Sequence, residues 1–182
     1  MYAFIGCSSS DKIDDIYKEK AKLISSFLAK EGFNLITGGI DGVMGLIQKE
    51  FVKYRRDLIV LGVDAYILNE SDYKYNLYNY KNISLRKQAI INMADLIVFM
   101  PGGIGTFDEL FTIIESKRAC EHSKPILILN INNYYDNLIE MLDNMYNNNF
   151  ANINDKKYYY IINDLDEFTT IFNNIEWKDI YD

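Results

Sequence analysis

The stretch Pro101-Gly102-Gly103-Ile104-Gly105-Thr106-Phe107-Asp108-Glu109 decides how this chain is read. An apolar run, Leu96 to Met100, leads into it, and an amphipathic run, Leu110 to Lys117, leads out. A glycine-rich turn between a buried strand and a helix offers unpaired backbone N–H groups at a helix N-terminus. Such a turn suits an anion like phosphate. Glu109 lies one turn into the same helix, so a carboxylate accompanies the cradle. The combination suits chemistry on a sugar phosphate.

Outward from this stretch, strand and helix patterns alternate along the chain. Tyr2–Gly6, Phe33–Thr37, Leu58–Val63, Leu96–Met100, Pro125–Leu129 and Lys157–Ile162 read as strands. Between them, apolar residues recur at helical spacing over Asp14–Lys30, with Gly32 as a left-handed cap. Helices are also expected over Gly42–Tyr54, Leu85–Met93 with Ser84 as N-cap, Tyr134–Tyr146 and Leu165–Asn174. The polar, tyrosine-rich segment Tyr66–Lys81 has no clear period and reads as a loop with a short helix. This alternation implies an α/β, Rossmann-like doubly wound fold: a mostly parallel sheet with helices on both faces, in one domain spanning 1–182. Ligands in such folds bind at strand C-terminal ends, near a switch in strand order. Two glycine turns, after Thr37 and after Met100, stand at such ends. The Gly6–Ser10 turn either binds phosphate or simply joins a strand to a helix.

Composition narrows the chemistry. The 182 residues are 25% charged and 49% hydrophobic, as expected of a globular chain. No apolar run reaches the roughly 20 residues of a membrane span, and the N-terminus has no signal-peptide pattern. Cys7 and Cys120 lack disulfide or metal spacing, which points to the cytoplasm. The net charge of -7 argues against nucleic acid and anionic membranes as partners. His122 is the only histidine, so histidine-rich metal sites are excluded. It reads as an exposed loop residue ahead of Pro125.

The motif as a whole resembles the PGGxGTxxE signature of the LOG family, the cytokinin riboside 5′-monophosphate phosphoribohydrolases, often mislabelled as lysine decarboxylases. Gly38-Gly39-Ile40-Asp41-Gly42-Val43-Met44-Gly45 resembles the family's GGxxGLMG stretch, and Arg86-Lys87 stands fifteen residues before Pro101, as the family's Arg-Lys pair does. Gly6-Cys7-Ser8-Ser9 looks like a rearranged CGSS turn. The resemblance covers about residues 2 to 146. Departures are Ile83-Ser84-Leu85 where members have Met-His-Glu, and Ile104 between the glycines.

The resemblance implies cleavage of the N-glycosidic bond of a nucleoside 5′-monophosphate, giving a free base and ribose 5-phosphate. It implies Arg86 and Glu109 as catalytic residues, with Lys87, Gly102, Gly103, Ile104, Gly105, Thr106 and Asp108 binding substrate. Glu115 and Glu70 stand near positions where members place polar substrate contacts. No cofactor and no metal are implied, and a homodimer is. A helix N-terminus favours an ionised Glu109, which suits a base or an electrostatic role. Plainer readings of the same residues remain open. Thr106-x-x-Glu109 is a capping-box spacing. Arg86 and Lys87 fit a solvated helix face, and Glu115 fits an ordinary surface glutamate. A lysine decarboxylase requires a pyridoxal-phosphate lysine, and Lys87 is the only lysine in the motifs. The alternative function is a non-catalytic carrier of a nucleotide or of a molybdopterin cofactor, which the fold alone does not separate from the enzyme.

Overall fold

A computed structural model describes residues 1–66 and 69–177. Seven strands form one all-parallel sheet: β1 (Tyr2–Gly6), β2 (Asn34–Thr37), β3 (Leu58–Val63), β4 (Asn76–Tyr80), β5 (Leu96–Phe99), β6 (Ile126–Leu129) and β7 (Tyr160–Ile162). Their order is β4-β3-β2-β1-β5-β6-β7. The chain therefore winds one way from β1 to β4, then crosses back to β5 on the other side of β1. The switch point lies between β1 and β5, whose residues Ala3–Gly6 and Leu96–Phe99 pair in register.

Alternate side chains of the central strands feed two cores. Ala3, Ile5, Leu35, Leu96 and Val98 face α1 (Asp15–Lys30), α2 (Gly42–Lys53) and α6 (Leu165–Asn173). Phe4, Ile36, Ile97 and Phe99 face α3 (Ile83–Met93), α4 (Ile104–Arg118) and α5 (Asp136–Asn147). Helices thus cover both faces of the sheet, so the inner strands read as unbroken apolar runs.

Three local expectations are corrected. The described part of Tyr66–Lys81 holds β4 rather than a helix. Its residues Asn76–Asn79 are exposed, as on an edge strand with no buried face to pattern its sequence. Helix α3 is capped by Asn82, whose side chain accepts the Leu85 N–H at 3.0 Å, and Ser84 lies inside the helix. Helix α5 starts two residues later than its pattern, because a short 3-10 turn at Ile131–Asn133 precedes it. Gly32 does follow α1 with φ +95°, as a left-handed cap requires.

Candidate functional site

The turns after β1, β2 and β5 meet above the switch point. Gly42, at φ +56°, lies so close to the first turn that a Cβ there would be 2.4 Å from the Ser9 carbonyl carbon. The Val43 N–H donates to the Ser8 carbonyl at 3.1 Å. The second turn is braced from beneath by Gln48, which is fully buried. Its amide donates to Thr37 Oγ1 at 2.6 Å and to the Gly39 carbonyl at 3.0 Å, and it accepts from the Tyr73 hydroxyl at 2.6 Å.

The glycines of the third turn divide by what surrounds them. A Cβ on Gly102 would lie 2.2 Å from Thr106 Oγ1, so Gly102 serves tight packing of turn on helix. A Cβ on Gly103 or Gly105 would meet nothing within 4 Å, and both residues are exposed. These two leave open room for a ligand at the N-terminus of α4. Helix α4 starts at Ile104 with Gly103 as N-cap, and no side chain caps it. Thr106 sits inside the first turn, its hydroxyl donating to the Cys7 carbonyl at 3.3 Å. The capping box is therefore not formed. Thr106 ties the third turn to the first, and Glu109 is released for another partner.

That partner is Arg86. Its Nη2 donates to Glu109 Oε1 at 2.6 Å, and both residues are buried. The pair packs against Gly38, where a Cβ would come to 3.4 Å from Arg86 Nη1 and 3.7 Å from Glu109 Oε1. The Nε of Arg86 is buried with no partner among the described residues. Burial pushes the Glu109 carboxyl up to about 7, while Arg86 and then Lys87 pull the other way and Asp108 adds to the rise. Burial thus works against the ionised form that a helix N-terminus favours. Lys87 is not on a solvated face. It donates to Asp108 at 2.7 Å and to Thr112 at 2.8 Å, tying α3 to α4.

Three residues stand apart from this cluster. Glu115 is exposed and paired in a fork with Arg118 at 2.5 and 2.7 Å, which holds its carboxyl below its usual range. Glu70 is exposed and lines an open cavity of about 870 Å³ with Arg55, Arg56 and Lys74. That cavity adjoins Leu58 and Asn76, the first residues of β3 and β4, whereas the glycine turns follow strand ends. Ile104 belongs to the turn but is 90% exposed and points to solvent. His122 is half-buried rather than exposed, with Nε2 3.0 Å from the Ile113 carbonyl. Cys7 is buried beside the site, where desolvation keeps its thiol protonated. No cluster of metal-ligating side chains exists among the described residues.

The sequence reading missed two tyrosines. Tyr135 Oη donates to the Met100 carbonyl at 2.8 Å, and Tyr134 Oη donates to the Gly102 carbonyl. Both come from the loop after β6. Their only sequence signal is an adjacent aromatic pair after a strand end.

An all-parallel doubly wound sheet with an open glycine turn at its switch point defines the Rossmann-like class of α/β proteins. Within that class, the family model described as "Possible lysine decarboxylase" matches residues 41–172, and the chain belongs to that family, the LOG family. The chain is 29% identical over 153 residues to cytokinin riboside 5′-monophosphate phosphoribohydrolase LOG2 of Arabidopsis thaliana, covering 81% of this chain and 70% of that one. It is 27% identical to LOG5 of the same plant, over 79% of this chain and 64% of the relative. The matched part is thus about two thirds of these relatives' length. The molybdenum cofactor binding protein of Rippkaea orientalis superposes with a TM-score of 0.70 at 17% identity, covering 94% of this chain and 95% of that one. At that identity the likeness concerns the fold.

Proposed function

We propose that this chain, acting as one nucleotide-binding domain, is a nucleoside 5′-monophosphate phosphoribohydrolase. The observation that carries this is the buried Arg86–Glu109 pair set behind an open helix N-terminus. The turn at Gly103–Thr106 receives the 5′-phosphate through backbone N–H groups and the helix dipole. Local side-chain charge contributes little net attraction there, because Arg86 and Lys87 each face a carboxylate. Glu109 lies six residues beyond the N-cap, about 9 Å along the axis at roughly 1.5 Å per residue, with its side chain slanting back toward the N-terminus. That separation matches a ribose between phosphate and carboxylate.

Breaking the C1′–N bond builds positive charge on the ribose. Ionised Glu109 stabilises that charge and takes a proton from the attacking water as its oxygen bonds to C1′. The bonding pair leaves with the base, which acquires one proton. A carboxyl balanced near pH 7 is suited to accepting that proton and passing it on. Arg86 holds the carboxylate's direction and offers its remaining donors to ribose or phosphate oxygens. The base is AMP's adenine or an N6-modified relative, as the phosphoribohydrolase relatives suggest. Lys87 on α3 and Asp108 on α4 flank the pair, and Glu70 and Glu115 lie outside this arrangement.

A pyridoxal-phosphate reaction does not fit these residues. Lys87 is held by Asp108 and Thr112. Lys117 donates to the Lys124 carbonyl, and Lys124 to the carbonyls of Ile91 and Asn92. All three are engaged within the fold.

The free cysteines accord with a reducing, cytoplasmic setting, and no helix among the described residues is long and apolar enough to cross a membrane. A homodimer accords with the exposed Leu85, Ile104 and Phe111 on α3 and α4.

The deciding experiment incubates purified protein with AMP and follows adenine by chromatography. Adenine and ribose 5-phosphate appear in equal amounts, and Glu109→Gln slows release at least about 100-fold, the usual contribution of a positioned acid or base. Undiminished release by Glu109→Gln refutes the catalytic assignment. Binding of AMP with a rise in Tm but no adenine identifies a carrier instead.

A further inference from the structure

We infer that Tyr134 is a positioning residue that sets the anion affinity of the glycine turn by locking one peptide plane. The inference rests on the phosphate-cradle part of the function proposed above. Its basis is the pair of hydroxyl-to-carbonyl bonds from the loop after β6. Tyr135 Oη holds the Met100 carbonyl and Tyr134 Oη holds the Gly102 carbonyl. The two bonds have different consequences.

The peptide that follows Met100 belongs to Pro101, which has no N–H. Fixing the Met100 carbonyl therefore aims no donor. Tyr135 is 1% exposed, and its bond satisfies a buried carbonyl at the end of β5. The peptide that follows Gly102 belongs to Gly103. In a planar trans peptide the C=O and N–H point in opposite directions. With the carbonyl drawn to Tyr134, the Gly103 N–H is turned away from Tyr134. Among the described residues it has no acceptor, as expected at a helix N-terminus. It is an unpaired donor on an exposed residue that has no Cβ.

Among the described residues no second hydrogen bond holds that plane. Glycine flanks it on both sides, so rotation about the Gly102 ψ and Gly103 φ meets no Cβ of Gly103, where the surroundings are open. A flipped peptide presents a carbonyl oxygen to the anion in place of an N–H, turning attraction into repulsion. The Tyr134 ring is itself held edge-on, 6.0 Å from Tyr17 and 4.9 Å from Tyr135 between centroids. These ring contacts steady the phenol although the residue is 39% exposed. Tyr17 belongs to α1, which begins after the first turn, so both sides of the switch point converge on this one phenol.

Tyr134→Phe keeps the ring and removes only the hydroxyl. The test measures the Kd of ribose 5-phosphate by calorimetry, with the Tm of the unliganded protein, for wild type, Tyr134→Phe and Tyr135→Phe. Tyr134→Phe weakens ribose 5-phosphate binding about tenfold, the worth of one hydrogen bond to a charged group, with little change in Tm. With AMP it raises KM and leaves kcat nearly unchanged, as expected of a residue that acts on binding alone. Tyr135→Phe lowers Tm and leaves the Kd within about twofold, because the peptide it holds carries no donor. Equal ribose 5-phosphate affinity in wild type and Tyr134→Phe overturns the inference, as does a Tyr134→Phe variant that loses only Tm. If the wild type releases no adenine but binds ribose 5-phosphate, and Tyr134→Phe binds it weakly, the hydrolase reading fails while this inference stands. If the wild type binds no ribose 5-phosphate, both fail.

Discussion

At the scale of single residues, the consequential fact is that Glu109 titrates near neutrality. Its folded pKa, about 7, stands above the ordinary carboxyl value of 4.5, with burial as the leading cause. The native state therefore binds a proton that the unfolded chain has already released between these two values. Stability from this group is fully present below pH 4.5 and is lost as pH rises through 7. The difference in unfolding free energy between wild type and Glu109→Gln accordingly shifts against the wild type as pH climbs from 4.5 to above 7. Urea titrations at several pH values check the sign, and a difference that stays flat contradicts the raised pKa. Activity runs the opposite way if the ionised form is the working base. Then kcat/KM rises about tenfold per pH unit below 7 and levels off above it. The opposed trends reflect a buried carboxylate kept for chemistry at the expense of stability.

At the scale of elements, the turn between β5 and α4 assigns different work to neighbouring glycines. Gly102→Ala places a Cβ 2.2 Å from Thr106 Oγ1, so the helix start has to shift. We expect a stability loss of about 1–3 kcal/mol, as for other overpacked sites, measured by chemical denaturation. Gly103→Ala and Gly105→Ala meet no neighbour and keep the fold. Inside the first turn of α4, Gly105→Ala even favours the helix by up to about 1 kcal/mol. Both nevertheless weaken ribose 5-phosphate binding, because the new methyl occupies the anion's approach. If either variant binds as tightly as wild type, that glycine does not face the ligand. The turn itself was legible in the sequence, since a strand of Leu96–Phe99 and a run of glycines are local signals. The partner of Glu109 was not, because Arg86 lies 23 residues away and only the packing of α3 on α4 brings it to 2.6 Å. The spacing Thr106-x-x-Glu109 pointed to a capping box, yet a carbonyl at Cys7, remote in sequence, competes successfully for the hydroxyl.

At the scale of the whole molecule, one topological event builds the site: the chain leaves β4 at one edge and returns to β5 beside β1. The turns after β1 and β5 are thereby juxtaposed, although they are far apart in sequence. Leu85, Ile104 and Phe111 remain exposed near this crevice, and a homodimer would cover them. Sedimentation equilibrium then gives twice the chain mass of 21.2 kDa, and Phe111→Glu reduces it toward a monomer. A wild-type mass of one chain at micromolar concentration rules the dimer out. By itself the sequence determined the alternation of strands and helices, the two-sided cover of the sheet and the glycine turns. Each of these rests on local pattern and on apolar runs that have nowhere to go but a core. Only the tertiary structure decided that Asn76–Tyr80 pairs as an edge strand, that Glu109 is buried against Arg86 and titrates near 7, and that Tyr134 and Tyr135 grip the turn. Edge pairing, desolvation and hydroxyl-to-carbonyl bonds depend on which groups meet across the fold, and no spacing along the chain encodes those meetings.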